Sequence, residues 1–217
     1  EKSAAIHVLH VSTAEEIDLL ARPKDIASVE VTTHHLTFSA DDSARLGTRL
    51  QLTPPVRAPR HRDQLWYGMA QGIVDVLGSD HAPHTLEEKA KPYPQSPSGM
   101  PGVQTLVPIM LDHVNAGRLT LARLVDLTSA GPARLFGIAR KGRVAVGYDA
   151  DLTLVDLNKA MTITDAGMAS RSTWTPYDGN KIMGWPIGTL VRGKVVMWEG
   201  EIVTPAQGEP VRFVSTL

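Results

Sequence analysis

The chain has no cysteine among its 217 residues. Disulfides and thiolate metal sites are therefore excluded, and any metal must be held by histidine and carboxylate. The absence also fits a reducing compartment. Charge of neither sign is in excess: the formal net charge is −1, and no long run of like charges interrupts the sequence. Nothing here marks a nucleic-acid surface or an interaction tail. No apolar run is long enough to span a bilayer, and the polar opening Glu1-Lys2-Ser3 is not a signal peptide. Internal repeats and low-complexity tracts are missing too. The expectation is a soluble, cytoplasmic protein that binds neither nucleic acid nor membrane. With 42% hydrophobic residues, the length suffices for one sizeable core, or for a core with a small satellite domain.

What is present is organised around Ile73–His84, I-V-D-V-L-G-S-D-H-A-P-H. An apolar, β-branched run (Ile73, Val74, Val76, Leu77) stops at Gly78 and Ser79, and Asp80, His81 and His84 follow at once. A buried strand that ends on Asp and His is how α/β barrels display their chemistry, at the C-terminal ends of the strands. Asp and His also hold zinc while leaving a position open for water. The same residues would equally suit a strand followed by an N-capping Asp and two surface histidines.

The longer stretch decides between them. Ser79–Lys89, S-D-H-A-P-H-T-L-E-E-K, resembles the signature that follows the last barrel strand of the dihydroorotases, in the cyclic amidohydrolase superfamily. Hydantoinases and allantoinases of that superfamily resemble it less well around the second histidine. The resemblance implies an α/β fold: the C-terminal portion of a (β/α)₈ TIM-type barrel, about its last three strands and their helices, followed by a small β-sandwich segment. Residues 1–140 would be the barrel part and 141–217 the β-rich flanking domain. A complete barrel needs about 250 residues, so the chain is expected to be a fragment.

Taken in order, Ala4–Val11 reads as a buried strand, with Ser12-Thr13 as helix cap, Glu15-Glu16 in the first turn, and Ile17, Leu19 and Leu20 as the apolar face. His10 stands at the strand's end, and H-V-L-H-V-S-T resembles the dihydroorotase segment whose second histidine binds zinc, which implies that role for His10 and not for His7. Ser28–Thr33 is the next strand, Glu30 lies along it, and His34-His35 close it, read as structural or supporting residues. Asp41–Leu46 reads as a short helix and Gln51–Arg57 as a proline-stiffened loop. The family typically has N-P-P-L-R there, with the Asn on the substrate; Thr53 replaces it, and a hydroxyl lacks an amide's paired donor and acceptor.

Arg60–Gln71 is an amphipathic helix, and Thr85–Gly102 a long polar loop whose P-S-G-M-P-G resembles a substrate-binding segment, which implies contacts from Ser98 and Gly99. Val103–Ala116 is a helix ended by Gly117 and kinked at Pro108, with His113 exposed on it; Leu119–Ser129 and Pro132–Phe136 are further helices. From Gly142 the pattern turns to strands, over Gly142–Leu157 and again over Thr189–Val203, with turns at Arg192-Gly193 and Glu199-Gly200.

The resemblance implies a zinc-dependent dihydroorotase that interconverts dihydroorotate and N-carbamoyl-L-aspartate in pyrimidine biosynthesis. Asp80 would be both catalytic base and metal ligand, His10 the other ligand present, and His84, Thr53, Ser98 and Gly99 the substrate contacts. One or two zinc ions would complete the site. The family's H-x-H pair, bridging lysine or aspartate and fifth-strand histidine are absent, so this chain by itself is expected to be inactive. A hydantoinase- or allantoinase-like cyclic amidase is one alternative; another is a non-catalytic dihydroorotase-like subunit scaffolding aspartate transcarbamoylase. A homodimer and an aspartate transcarbamoylase complex are the protein partners the resemblance raises.

Overall fold

The computed structural model describes residues 6–205 and 207–216. They fall into two compact units: one runs to Ile109 and takes in Thr162–Lys181, the other combines Met110–Met161 with the chain from Ile182 onward.

The first unit is built on a parallel sheet in the order β1 (Ile6–Val8), β2 (Ala27–Thr32), β3 (Val76–Gly78), with Val8 opposite Val29 and Thr32 opposite Gly78. β2 is central, and its Val29 and Val31 are wholly buried, as expected where both faces of a parallel strand are covered. Helix α1 (Ala14–Leu20) starts where the sequence predicts: the Thr13 side chain accepts from the Glu16 amide while the Glu16 carboxylate reaches back to the Thr13 amide. That reciprocal cap satisfies two of the donors a helix start leaves free. After β2 come α2 (Thr33–Thr37), α3 (Ser43–Leu46) and α4 (Pro59–Ala70). α4 meets α1 closely because Gly68 has no side chain; a Cβ there would lie 2.9 Å from Ile17 Cδ1. Single-turn α5 (Leu86–Lys89) and α6 (Leu106–Asn115) follow β3.

Several expectations are corrected. β1 covers Ile6–Val8 and not Ala4–Val11; Ala4 and Ala5 lie outside the described residues. Within the described residues β1 pairs with β2 alone, and Ile6 is 53% and Leu9 57% exposed. Leu19 points to solvent while Ile17 and Leu20 fill the core. β3 begins later than the apolar run, since the Ile73 and Val74 amides still bond the Gly68 carbonyl at the end of α4. Pro108 is the third residue of α6, in the turn where an amide has no helical partner anyway, so no mid-helix kink arises. His113 is buried, not exposed.

In the second unit α7 (Leu121–Val125) runs through a π-turn at Asp126–Ala130 into α8 (Gly131–Leu135). A four-stranded sheet follows, in the order β4 (Leu152–Thr162), β5 (Lys181–Val191), β6 (Lys194–Trp198), β7 (Glu201–Ile202). Arg192-Gly193 and Glu199-Gly200 are the hairpin turns, all four residues at positive φ, which matches the right-handed twist of the flanking strands. The strands read over Gly142–Leu157 form only from Leu152; Val144 and Val146 are fully exposed in a turn-rich segment.

Candidate active site

The parallel sheet brings the C-terminal ends of its strands to one edge, and the residues singled out in sequence stand there. His10 follows β1 at φ 53° and Asp80 follows β3 at φ 41°. Left-handed backbone is uncommon for non-glycine residues and recurs where side chains are aimed for function. His10 Nε2 is 3.5 Å from Asp80 Oδ1, and His10 Nδ1 is 2.7 Å from Glu30 Oε1 on the intervening strand β2. The His10–Glu30 pair is close but not aligned as a hydrogen bond, both atoms being buried without a hydrogen-bond partner, so the contact is one of charge and proximity. Gly78 makes room for this arrangement; a Cβ there would sit 2.5 Å from the Glu30 carboxyl.

The paired histidines at the start of α2 are engaged in the interior. His35 Nε2 donates to the Pro54 carbonyl at 3.0 Å, so its Nδ1 accepts from the Thr32 hydroxyl at 2.7 Å. Burial lowers its pKa. His34 is wholly enclosed: Nδ1 meets the Tyr177 hydroxyl at 2.9 Å, and the rings of His34 and Phe38 stack on Tyr177. Burial, reinforced by His35, pushes the His34 pKa down to about 3, and burial raises that of the Tyr177 phenol. Both histidines are thus neutral props of the strand ends.

Around Asp80 two loops are tied together. Past Asp80, the Ala82 amide bonds the Met100 carbonyl, and His81 Nδ1 accepts from the Gly102 amide at 3.1 Å. His84 Nε2 donates to the Ser98 carbonyl at 3.1 Å, and its Nδ1 lies 3.6 Å from Glu88. The Gly99 amide bonds the Gln51 carbonyl at 2.9 Å, which joins the Ser98–Gly99 segment to the one leading into Thr53. Thr53 and Ser98 are exposed, and Gly99, at φ 127°, is buried against the Ala82 carbonyl. The structure therefore brings His10 to Asp80, and His84 to Ser98 and Gly99. Among the described residues, no group of three or more His, Asp or Glu side chains is placed to hold a metal ion; His10 and Asp80 offer two donors on their own.

The model of the amidohydrolase family matches residues 1–196. The chain belongs to the amidohydrolase family. It is 43% identical over 212 residues to a dihydroorotase of Halobacterium salinarum, covering 98% of this chain and 49% of that protein. A dihydroorotase of Pyrococcus furiosus is 39% identical over 206 residues, covering 94% and 48%. Among solved structures, the L-hydantoinase (dihydropyrimidinase) from Arthrobacter aurescens superposes with a TM-score of 0.89 at 36% identity, over 93% of this chain and 47% of that one. The chain thus spans about half the length of the curated relatives it matches.

Two residues beside this candidate site go beyond the sequence reading, one with a local signal and one without. Lys89, quoted only as the end of the signature, is 1% exposed, and its ammonium donates to the carbonyls of Gln51, Pro97 and Gly99. Burial pushes its pKa down to about 8. The signal that places it was available: Thr85 and Glu88 form a capping box, T-x-x-E, at the head of α5, inside what reads as featureless loop. Tyr177 had no such signal, because its partner His34 is 143 residues away in the chain.

Proposed function

We propose that the chain is the C-terminal part of a dihydroorotase, a zinc-dependent cyclic amidohydrolase of pyrimidine biosynthesis, and that ligands outside this segment complete its metal site. The observation that carries the proposal is the convergence of His10 Nε2 and Asp80 Oδ1 at the ends of parallel strands, with Glu30 backing His10. The similarity to dihydroorotases of two organisms supports it. Residues 1–140 as barrel portion and 141–217 as β-rich flank belong to the same reading.

The donor set fits zinc as far as it goes: one imidazole nitrogen with a carboxylate behind it, and one carboxylate, are borderline and hard ligands of the kind zinc takes. When bound, the metal supplies Lewis-acid polarisation of a ring carbonyl and a water of near-neutral pKa. The chain's own residues do the rest. Asp80 takes a proton from the attacking water as its oxygen bonds the amide carbon, then hands that proton to the ring nitrogen as the C–N bond breaks. Run backwards, the same transfer closes N-carbamoyl-L-aspartate to dihydroorotate. His84, Ser98, Gly99 and Thr53 hold the substrate's polar edge.

The test is turnover by the full-length protein that contains this chain, offered dihydroorotate, hydantoin and allantoin in turn. Preference for dihydroorotate sustains the reading. Selective turnover of hydantoin would support the second reading, favoured by Thr53 in the place of the family's Asn and by the likeness to L-hydantoinase.

A further inference from the structure

Lys89 has an environment that a structural lysine seldom occupies. Its side chain is 1% exposed, and all three ammonium protons are directed at backbone carbonyls: Pro97 at 2.8 Å, Gln51 at 3.0 Å and Gly99 at 3.0 Å. Among the described residues it forms no salt bridge. An ammonium has three donors and no acceptor, so three carbonyls saturate it without a counter-ion. Its acceptors are not scattered. Pro97 and Gly99 flank Ser98, and Gln51 precedes Thr53 by two residues.

The surroundings hold this point in place from several sides. The Lys89 carbonyl accepts from the Thr48 hydroxyl and from Ser96 Oγ, and the Gln51 side-chain amide donates to the Ser96 carbonyl at 2.8 Å. The Trp174 ring lies 5.9 Å from the ammonium, and Trp174 Nε1 donates to the His84 carbonyl at 2.7 Å. A buried charge has to be met by oriented dipoles, and here those dipoles are the backbone of two loops.

We infer that Lys89 is a positioning residue: its ammonium, gathering three carbonyls beside the Gly99–Gln51 backbone bond, sets the Thr53 segment and the Ser98–Gly99 segment at a fixed spacing, so that they receive the carboxylate or ring amide of a cyclic amide substrate together. This rests on the function proposed above for its substrate, but not for the loop geometry.

The experiment has two arms. In the first, amide hydrogen exchange is measured on the full-length protein that contains this chain, carrying Lys89→Met. Protection of the Gly99 amide, which bonds Gln51, falls about tenfold or more, while the Val11 amide, which bonds Glu30 in the sheet, keeps its rate. Lys89→Cys alkylated in denaturant with 2-bromoethylamine and refolded restores an ammonium of nearly the same reach; this segment has no cysteine of its own, and any cysteine outside it is replaced by serine beforehand, which confines the modification to position 89. Protection returns in that protein. Should the Met variant not fold, Lys89→Gln is compared with the alkylated protein instead. In the second arm, the metal-loaded full-length enzyme carrying Lys89→Met shows KM raised about tenfold with kcat within about threefold and metal content unchanged. Unchanged protection at Gly99, an equal loss at Val11, or an unchanged KM overturns the inference. If the wild-type full-length protein turns over no cyclic amide, the proposed function and the substrate clause fall together, while the exchange arm still decides whether Lys89 ties the loops.

Discussion

Gly102→Ala isolates the contact that seats the P-S-G-M-P-G loop on the segment that leads from β3 to Asp80. A Cβ on residue 102 would lie 2.2 Å from the Ser79 carbonyl oxygen and 2.8 Å from His34 Nε2. Neither neighbour can move aside. The Ser79 oxygen is backbone, and His34 is wholly buried against Tyr177. Residue 102 is itself pinned, its amide on His81 Nδ1 and its carbonyl on the Thr105 and Leu106 amides. Relief to ordinary contact distance needs a shift of about 1 Å somewhere in this knot, and overpacking of that kind costs ~1–3 kcal/mol, more where the wall is rigid. Alanine also stiffens the unfolded chain, which offsets ~0.4–1 kcal/mol. The net expectation is a loss of about 2 kcal/mol, hence a fall in Tm of ~4–8 °C for a chain this long. Thermal and urea unfolding by circular dichroism measure it, with Gly208→Ala as control, since nothing lies within 4 Å of a Cβ there. A Gly102→Ala protein within about 0.5 kcal/mol of wild type would show that the loop is not seated as described.

Three further outcomes are expected. The low pKa of His34 means that between about pH 3 and 6.5 the unfolded chain binds a proton the folded one does not. Stability is therefore full above about pH 6.5 and falls by roughly 1 kcal/mol per pH unit as pH drops below it; His35 shifts in the same direction. Urea midpoints between pH 7 and 5 read the slope above the carboxylate range, and His34→Gln should flatten it. Tyr177→Phe leaves the buried His34 Nδ1 without its hydroxyl partner and should cost about 1–3 kcal/mol in urea unfolding. In the full-length enzyme, Asp80→Asn should lower turnover by ~10²-fold or more, because an amide keeps the shape but cannot take the proton. Its Tm should stay near wild type; substantial residual activity would remove Asp80 from the role of base.

What the sequence reveals of this molecule is whatever short range controls. The Thr13–Glu16 capping box, the Arg192-Gly193 and Glu199-Gly200 turns, the buried alternation of β2 and the placement of His10 and Asp80 at strand ends all depend on residues within a few positions of one another. The errors fall where a distant partner decides. Residues 142–151 alternate like a strand but find no neighbour to pair with among the described residues, so the pattern has no ladder to join.

The site divides along the same line. His10 and Asp80 can be found in sequence because each follows a strand, but the carboxylate that lies against His10 comes from the strand between them, so only the sheet could supply it. Glu30 can reach Nδ1 only because β2 lies between β1 and β3 and because Gly78 leaves the space that the Glu30 carboxyl fills. Lys89 is the same case in the loops: its three acceptors come from segments 8 to 38 residues away. Residues that could carry out proton transfer are therefore visible one at a time in the sequence, whereas the groups that aim them are set by topology. That is why the strand ends were legible as chemistry before the contacts behind them were.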